Sequence, residues 1–216
     1  MDESELKALA SQLSCPEGEM GVEVGHKMNE INQFITRCAI EALAPQASDV
    51  IAEFGPGNGA LSDGLLDTLG KDGKYYGIEF SEVMASAARQ RFEDKACEVD
   101  IICGDCMQVK MPEKHLDAAM AVNFLYFIDD LDGYFSHVTK WMKPGARAVY
   151  GIRSEKSLSA MPFVEYGFNV RSVDEIKESM RNNGFSDVSS SYYDEGVVNL
   201  GELSLPFDSV IIKGVI

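Results

Sequence analysis

The sequence predicts an α/β fold built around a mostly parallel sheet with helices on both faces. Three observations carry that prediction. From residue 50 to residue 152, short apolar runs alternate with segments of helical period, the rhythm of strand–helix–strand units. Gly, Pro and Asp punctuate the joints between them, where the chain must turn. A glycine-rich pentapeptide, Gly55-Pro-Gly-Asn-Gly59, lies between the first strand and the helix that follows it.

Taken in order, residues 3–14 place Leu6, Leu9, Ala10 and Leu13 on one face of an amphipathic helix. Cys15-Pro16 ends it, and the glycine-rich stretch 17–25 reads as a loop. A second helix over 28–44 carries Ile31, Phe34, Ile35, Cys38, Ala39, Ala42 and Leu43 on one face before Pro45 closes it. Residues 50–54 form the first strand, 60–69 a helix stopped by Gly70, and 74–80 the second strand. Ser81 is an N-cap for a helix reaching Glu93, with Glu82 in its first turn. Strands three and four follow at 99–103 and 116–122, then a helix at 130–142. Lys143-Pro-Gly145 turns the chain into strand five at 147–152.

Residues 154–171 show no clear period. Ser172 caps a helix over 173–183, with Gly184 just past its end. Segments 188–193 and 209–215 suit an antiparallel hairpin with a long connection. The expected layout is one domain over 1–216: a helical cap (1–48), a cofactor-binding core (49–153), a substrate-side insertion (154–171) and a C-terminal helix with its hairpin (172–216).

Charge and composition narrow the function. Nineteen Lys and Arg against 35 Asp and Glu leave a net charge of -16. No basic cluster offsets it, so nucleic acid is not an expected partner. No apolar run reaches the roughly 18 residues that cross a bilayer, and Met1-Asp-Glu-Ser-Glu is the reverse of a signal peptide. A cytoplasmic protein with no membrane partner is the expectation. The five cysteines form no regular framework and read as reduced thiols. Cys103 and Cys106 have CxxC spacing, but no second pair follows to complete a zinc site, and no metal is expected.

The glycine loop itself admits two ligands. Glycines let backbone approach a ligand closely, at the carboxyl ends of the strands. Gly55-x-Gly57-x-x-Ala60, with Glu79 lying 24 residues past Gly55, satisfies a dinucleotide fingerprint. Glu53, two residues before the first glycine, argues the other way. A carboxylate there repels a pyrophosphate and welcomes a cofactor carrying an ammonium and a sulfonium.

Read together, Glu53-Phe-Gly55-Pro-Gly57-Asn-Gly59, Glu79 after the second strand, Asp105 after the third, the Lys143-Pro144-Gly145 turn and the helix ending in Gly184-Phe185 resemble a known family. The chain is similar to the class I, Rossmann-like S-adenosylmethionine-dependent methyltransferases of the small-molecule type, which includes quinone-biosynthesis enzymes. The likeness runs from about residue 28 to the C-terminus and is weakest over 154–171. It implies a seven-stranded, mostly parallel sheet with one antiparallel C-terminal strand. It also implies S-adenosylmethionine as cofactor, S-adenosylhomocysteine as product and a small-molecule acceptor.

The resemblance assigns roles by position. Gly55, Pro56, Gly57, Asn58 and Gly59 would pass around the methionine and ribose, with Glu53 beneath them. Glu79 would take the ribose hydroxyls, a bidentate task suited to an ionised carboxylate. Phe80 and Met84 would flank the adenine, Gly104, Asp105 and Cys106 would meet its edge, and Asn123 would reach the methionine end. Where the family places a His-containing pair after strand four, this chain reads Phe124-Leu125-Tyr126-Phe127, which removes one candidate base. Tyr126 and His26 are the remaining candidates for a base, and Tyr126 needs a lowered pKa to serve. Met28, Tyr126, Phe163 and Tyr166 are the expected acceptor-binding residues, in the segments that vary around the shared sheet. An NAD(P)-dependent oxidoreductase and a non-catalytic cofactor-binding relative remain as alternatives.

Overall fold

The computed structural model describes the whole chain except Gly201 and Glu202, and not the side chains of Asn199, Leu200 and Leu203. Its seven strands are β1 (Val50–Phe54), β2 (Lys74–Glu79), β3 (Glu98–Cys103), β4 (Leu116–Val122), β5 (Met142–Ile152), β6 (Ser186–Leu200) and β7 (Leu203–Val215). They form one sheet in the order β3-β2-β1-β4-β5-β7-β6. Pairing is parallel from β3 to β5, while β7 runs antiparallel to both β5 and β6. The chain winds outward through β2 and β3, then crosses back so that β4 pairs with β1. That reversal opens a crevice at the carboxyl ends of β1 and β4, the place where open sheets of this kind bind ligands.

The helices are α1 (Glu3–Ser14), α2 (Gly18–Leu43), α3 (Asp63–Leu69), α4 (Glu82–Arg91), α5 (Leu131–Trp141), α6 (Glu155–Ser159) and α7 (Val173–Asn182). Strand period divides the core between the two faces. On β1, Ile51 joins Ile35, Leu43, Leu65, Leu69 and Tyr75 beneath α2, α3 and α4. Its neighbours Ala52 and Phe54 face the opposite cluster, with Tyr134, Phe135, Trp141, Ile176 and Met180 from α5 and α7. Each fully buried aromatic or aliphatic side chain contributes about 1.5–3 kcal/mol, so both faces are anchored.

Several boundaries differ from the sequence reading, for identifiable reasons. Residues 18–25 are not a loop but the first two turns of α2. Their glycines serve close packing: a Cβ on Gly21 would stand 2.7 Å from the Pro16 carbonyl carbon, and one on Gly25 2.9 Å from Met84 Sδ. Lys143-Pro144-Gly145 does not precede β5 but interrupts it as an irregularity, with Leu116 paired to Met142 and Ala118 to Arg147. Helix α3 starts at Asp63, because residues 60–62 are taken up by the turn that closes the glycine loop. The terminal hairpin has no long connection, since β6 and β7 stay paired out to Leu200 and Leu203. Ser172 does cap α7, in a reciprocal capping box with Glu175.

Candidate active site

A cavity of about 950 Å³ occupies the crevice at the carboxyl ends of β1, β2 and β4. It stands at the upper end of the range for a single small-molecule site, leaving room for a second molecule beside the first. Leu9 and Leu13 of α1, Met28, Asn29 and Asn32 of α2, and Leu158, Met161 and Phe163 after β5 complete its walls.

One half is built from the glycine loop and two buried carboxyl groups. Glu53, on the Tyr75 side of the sheet, is 4% exposed and accepts a 2.7 Å hydrogen bond from the Tyr75 hydroxyl. Burial pushes its carboxyl above the usual carboxylate range, against the hydrogen bonds from Tyr75 and Ser62. Glu79, at the end of β2, is 6% exposed. One of its carboxylate oxygens accepts from the Gly57 N–H and the other from the Ser81 N–H, both at 2.9 Å. A single side chain thereby ties the glycine loop to the N-terminus of α4. Burial raises this carboxyl too, and the backbone donors oppose the rise.

The loop needs its glycines at three points: Gly55, Gly57 and Gly59 have φ of 70°, 59° and 75°, in the region L side chains avoid. Asn58 is buried, and its side-chain carbonyl accepts from the Ala60 N–H and the Asn29 amide, both at 3.1 Å, so α2 grips the loop directly. Phe80 is largely exposed at the rim, whereas Met84 is buried under Gly25. Gly104, Asp105 and Cys106 line the same half. Asp105 is turned onto its own loop, accepting from the Met107 N–H at 2.9 Å. Burial pushes the Cys106 thiol up to about 12, and Glu82 beside Cys103 pushes that thiol to about 11.

The other half is apolar with a polar floor. Asn123, in a left-handed conformation at φ 52°, donates to Asn32 Oδ1 at 2.9 Å and accepts from the Tyr126 hydroxyl at 3.2 Å. Met28, Tyr126 and Phe163 line this half, with Ile31, Leu158, Met161 and Phe168. Tyr126 does not suit the role of base. Its hydroxyl is buried, which raises its pKa, and its proton is directed at Asn123. His26 is exposed and outside the cavity lining, so it does not reach the site either. Tyr166 also lies off the lining, with Lys7 Nζ 5.4 Å from its ring centroid. Gly59 turns away from the cavity and packs on the Phe92 ring.

Residues 20–32 are expected from the sequence to roof the pocket, but sequence reasoning does not single out Asn29 or Asn32 within them, and it misses Arg153; all three line the cavity. A signal for the first two existed. Asn29, Asn32 and Thr36 recur at helical spacing inside an apolar face, an interruption that packing alone does not explain. Arg153 immediately follows β5, at the strand end where such folds place functional groups. It is 3% exposed and paired with Glu195.

Comparison with known proteins fits this geometry. Residues 51–145 match the methyltransferase domain family. An uncharacterized methyltransferase of Geobacillus sp. (strain WCH70) is 29% identical over 156 residues, covering 71% of this chain and 67% of that protein. These matches support a class I S-adenosylmethionine-dependent methyltransferase. Phosphoethanolamine N-methyltransferase 1 of Arabidopsis thaliana is 30% identical over 118 residues, which are 52% of this chain but only 24% of that longer protein. Among solved structures, a complex between the Haloferax volcanii Trm112 methyltransferase activator and a methyltransferase matches with a TM-score of 0.72. That match has 17% identity and covers 100% of this chain and 98% of the other, a likeness of fold. Within the methyltransferase family the seven-stranded sheet with one antiparallel strand is the expected architecture, and it is the one observed. No helix among the described residues is long and apolar enough to cross a membrane.

Proposed function

We propose that this methyltransferase transfers the methyl group of S-adenosylmethionine to a small organic acceptor held in the apolar half of the cavity. The observation that carries the reading is Glu79. It is a buried carboxylate on the cavity wall, preorganised on both oxygens by the backbone amides of Gly57 and Ser81. Such a group receives paired ribose hydroxyls well. The donor set also fits the cofactor's charge: Glu53 and Glu79 line this half beside the glycine loop, which suits an ammonium and a sulfonium and opposes a pyrophosphate. The same argument counts against the NAD(P) reading.

When bound, S-adenosylmethionine supplies a methyl group on a sulfonium, which leaves as a neutral sulfide in an in-line displacement. Glu79 and the 55–58 backbone would fix its ribose and methionine, Met84 and Phe80 its adenine, and Asp105 with Cys106 the adenine edge. The protein's share of the chemistry is positioning and exclusion of water. With Tyr126 held protonated and His26 outside, the acceptor would attack with a lone pair that needs no protein base. Residues 1–48 and 154–171 would act as the acceptor-side cover of a single domain.

Calorimetry with S-adenosylmethionine and S-adenosylhomocysteine tests the reading, and no binding by either at high micromolar concentration would sink it. Transfer of a labelled methyl group to a small-molecule panel then separates an enzyme from a binding-only relative. The Haloferax complex favours a second reading in which an activator protein is required. Cofactor binding by the isolated chain argues against it.

A further inference from the structure

We propose that Asn32 is a specificity-determining residue of the acceptor site, presenting its amide NH2 to an oxygen on a neutral, otherwise apolar acceptor. The inference rests on the methyltransferase reading above. Its foundation is a closed ring of hydrogen bonds whose direction one residue dictates.

A carboxamide can ordinarily be turned either way round. Here Arg153 decides, because a guanidinium only donates. Its Nη1 is held by the Glu195 carboxylate, the Asp208 carbonyl at 2.8 Å and the Ser209 hydroxyl at 3.0 Å, and its carbon lies 3.9 Å from the Phe207 ring centroid. Its Nη2 donates to Asn32 Oδ1 at 3.3 Å, so the oxygen of that amide must face it. Asn123 donates to the same oxygen at 2.9 Å, which turns the Asn123 carbonyl toward Tyr126. The Tyr126 oxygen in turn accepts from the Arg153 backbone N–H.

Within this ring the oxygen of Asn32 takes two donors, and its NH2 makes no hydrogen bond among the described residues. An oriented donor in an apolar wall favours a ligand with a lone pair at that point. It also explains why the floor supplies no base: its fixed polarity offers a proton donor, not an acceptor. Among the described residues, the two cations lining the cavity are Lys27, exposed beside Glu30 at its rim, and the buried Arg153, already paired with Glu195. The cation in the floor is therefore taken, and a neutral carbonyl, ether or hydroxyl is the fitting group there.

The test compares acetophenone with ethylbenzene as probes, binding to protein saturated with S-adenosylhomocysteine, by saturation-transfer NMR. The variant N32D keeps an acceptor for both Asn123 and Arg153 but has no proton for the cavity. N32A serves if N32D does not bind S-adenosylhomocysteine. We expect the preference for the ketone, relative to the hydrocarbon, to fall about tenfold in the variant, the worth of one neutral hydrogen bond. Phenylacetate should bind more weakly than acetophenone. An unchanged preference, tighter binding of phenylacetate, or no binding of either neutral probe overturns the proposal alone. Failure of the wild type to bind S-adenosylhomocysteine instead overturns the cofactor reading and the proposal with it.

Discussion

Replacing Glu79 by Gln removes one charge and changes almost no volume, so its effect isolates what the carboxylate does. In the free protein each oxygen already accepts a backbone N–H at 2.9 Å. A glutamine oxygen keeps one of these, while its NH2 faces the other N–H donor to donor. Either Gly57 or Ser81 is left unpaired in a buried position. A ribose hydroxyl that would have donated to the carboxylate must also reverse. A hydrogen bond to a charged group is worth about 1.5–3 kcal/mol and an orphaned donor costs about 1–3 kcal/mol, so a loss of about 3 kcal/mol, roughly a hundredfold in affinity, is expected. Calorimetry with S-adenosylhomocysteine at neutral pH measures it. The pH profile adds a second check. Because burial raises the Glu79 carboxyl, wild-type affinity should fall as acidification protonates it, and the variant's affinity should stay flat through the same range. A well-folded Glu79→Gln protein that binds like the wild type would refute the ribose assignment.

Three further outcomes follow from packing and burial. Glu53 has a folded-state pKa raised above 4.5, so its contribution to stability is present below that value and is lost as pH rises through the folded pKa. Glu53→Gln still accepts from Tyr75, and its thermal midpoint should therefore gain on the wild type as pH increases from 4.5; a constant gap excludes the burial argument. Gly21→Ala should lower the thermal midpoint, because its Cβ meets Pro16 backbone at 2.7 Å and overpacking costs about 1–3 kcal/mol against a helix-propensity gain of ~1. Gly64→Ala, exposed and facing open space, should raise it slightly, and the opposite order would show that the close approach is not real. The hydroxyls of Tyr134 and Tyr150 are buried beside each other, and neither makes a hydrogen bond of ordinary geometry among the described residues. Tyr150→Phe should leave urea stability unchanged or raise it by up to ~1 kcal/mol, whereas a clear loss would reveal a bridging water.

Much of the fold was legible because strands and helices declare themselves locally. β1 and β4 are apolar runs whose ends fall where pattern places them, and the serines before α4 and α7 cap as their spacing implies. The failures share a cause: a glycine's meaning depends on what lies opposite it. Gly18, Gly21 and Gly25 have the composition of a loop, yet Gly21 and Gly25 let helix α2 close onto Pro16 and Met84. Those partners lie on other elements, beyond the reach of a propensity argument. The length of the β6–β7 hairpin was hidden for a similar reason, since its serine-rich, largely exposed strand is held by pairing to β7 rather than by its own apolar pattern.

The two halves of the cavity are written into the sequence in different ways. The half around the glycine loop is assembled at consecutive strand ends, so Glu53, the glycines, Glu79 and Asp105 come in a fixed order at fixed intervals, and a linear reading finds them. The polar floor of the other half joins Asn32 from α2, Asn123 and Tyr126 after β4, Arg153 after β5, and Glu195 from β6. No interval in the chain marks that set, because its members meet only when the sheet is complete. Their bonds explain what the motif reading left unsettled about Tyr126. A tyrosine that accepts from a backbone N–H, donates to a fixed amide and is buried beside them is held in its protonated form. It belongs to the structure that aims Asn32 rather than to the proton chemistry. On the proposed reading, selectivity for an acceptor would come from the hydrogen-bond polarity that runs from this buried arginine to the cavity wall.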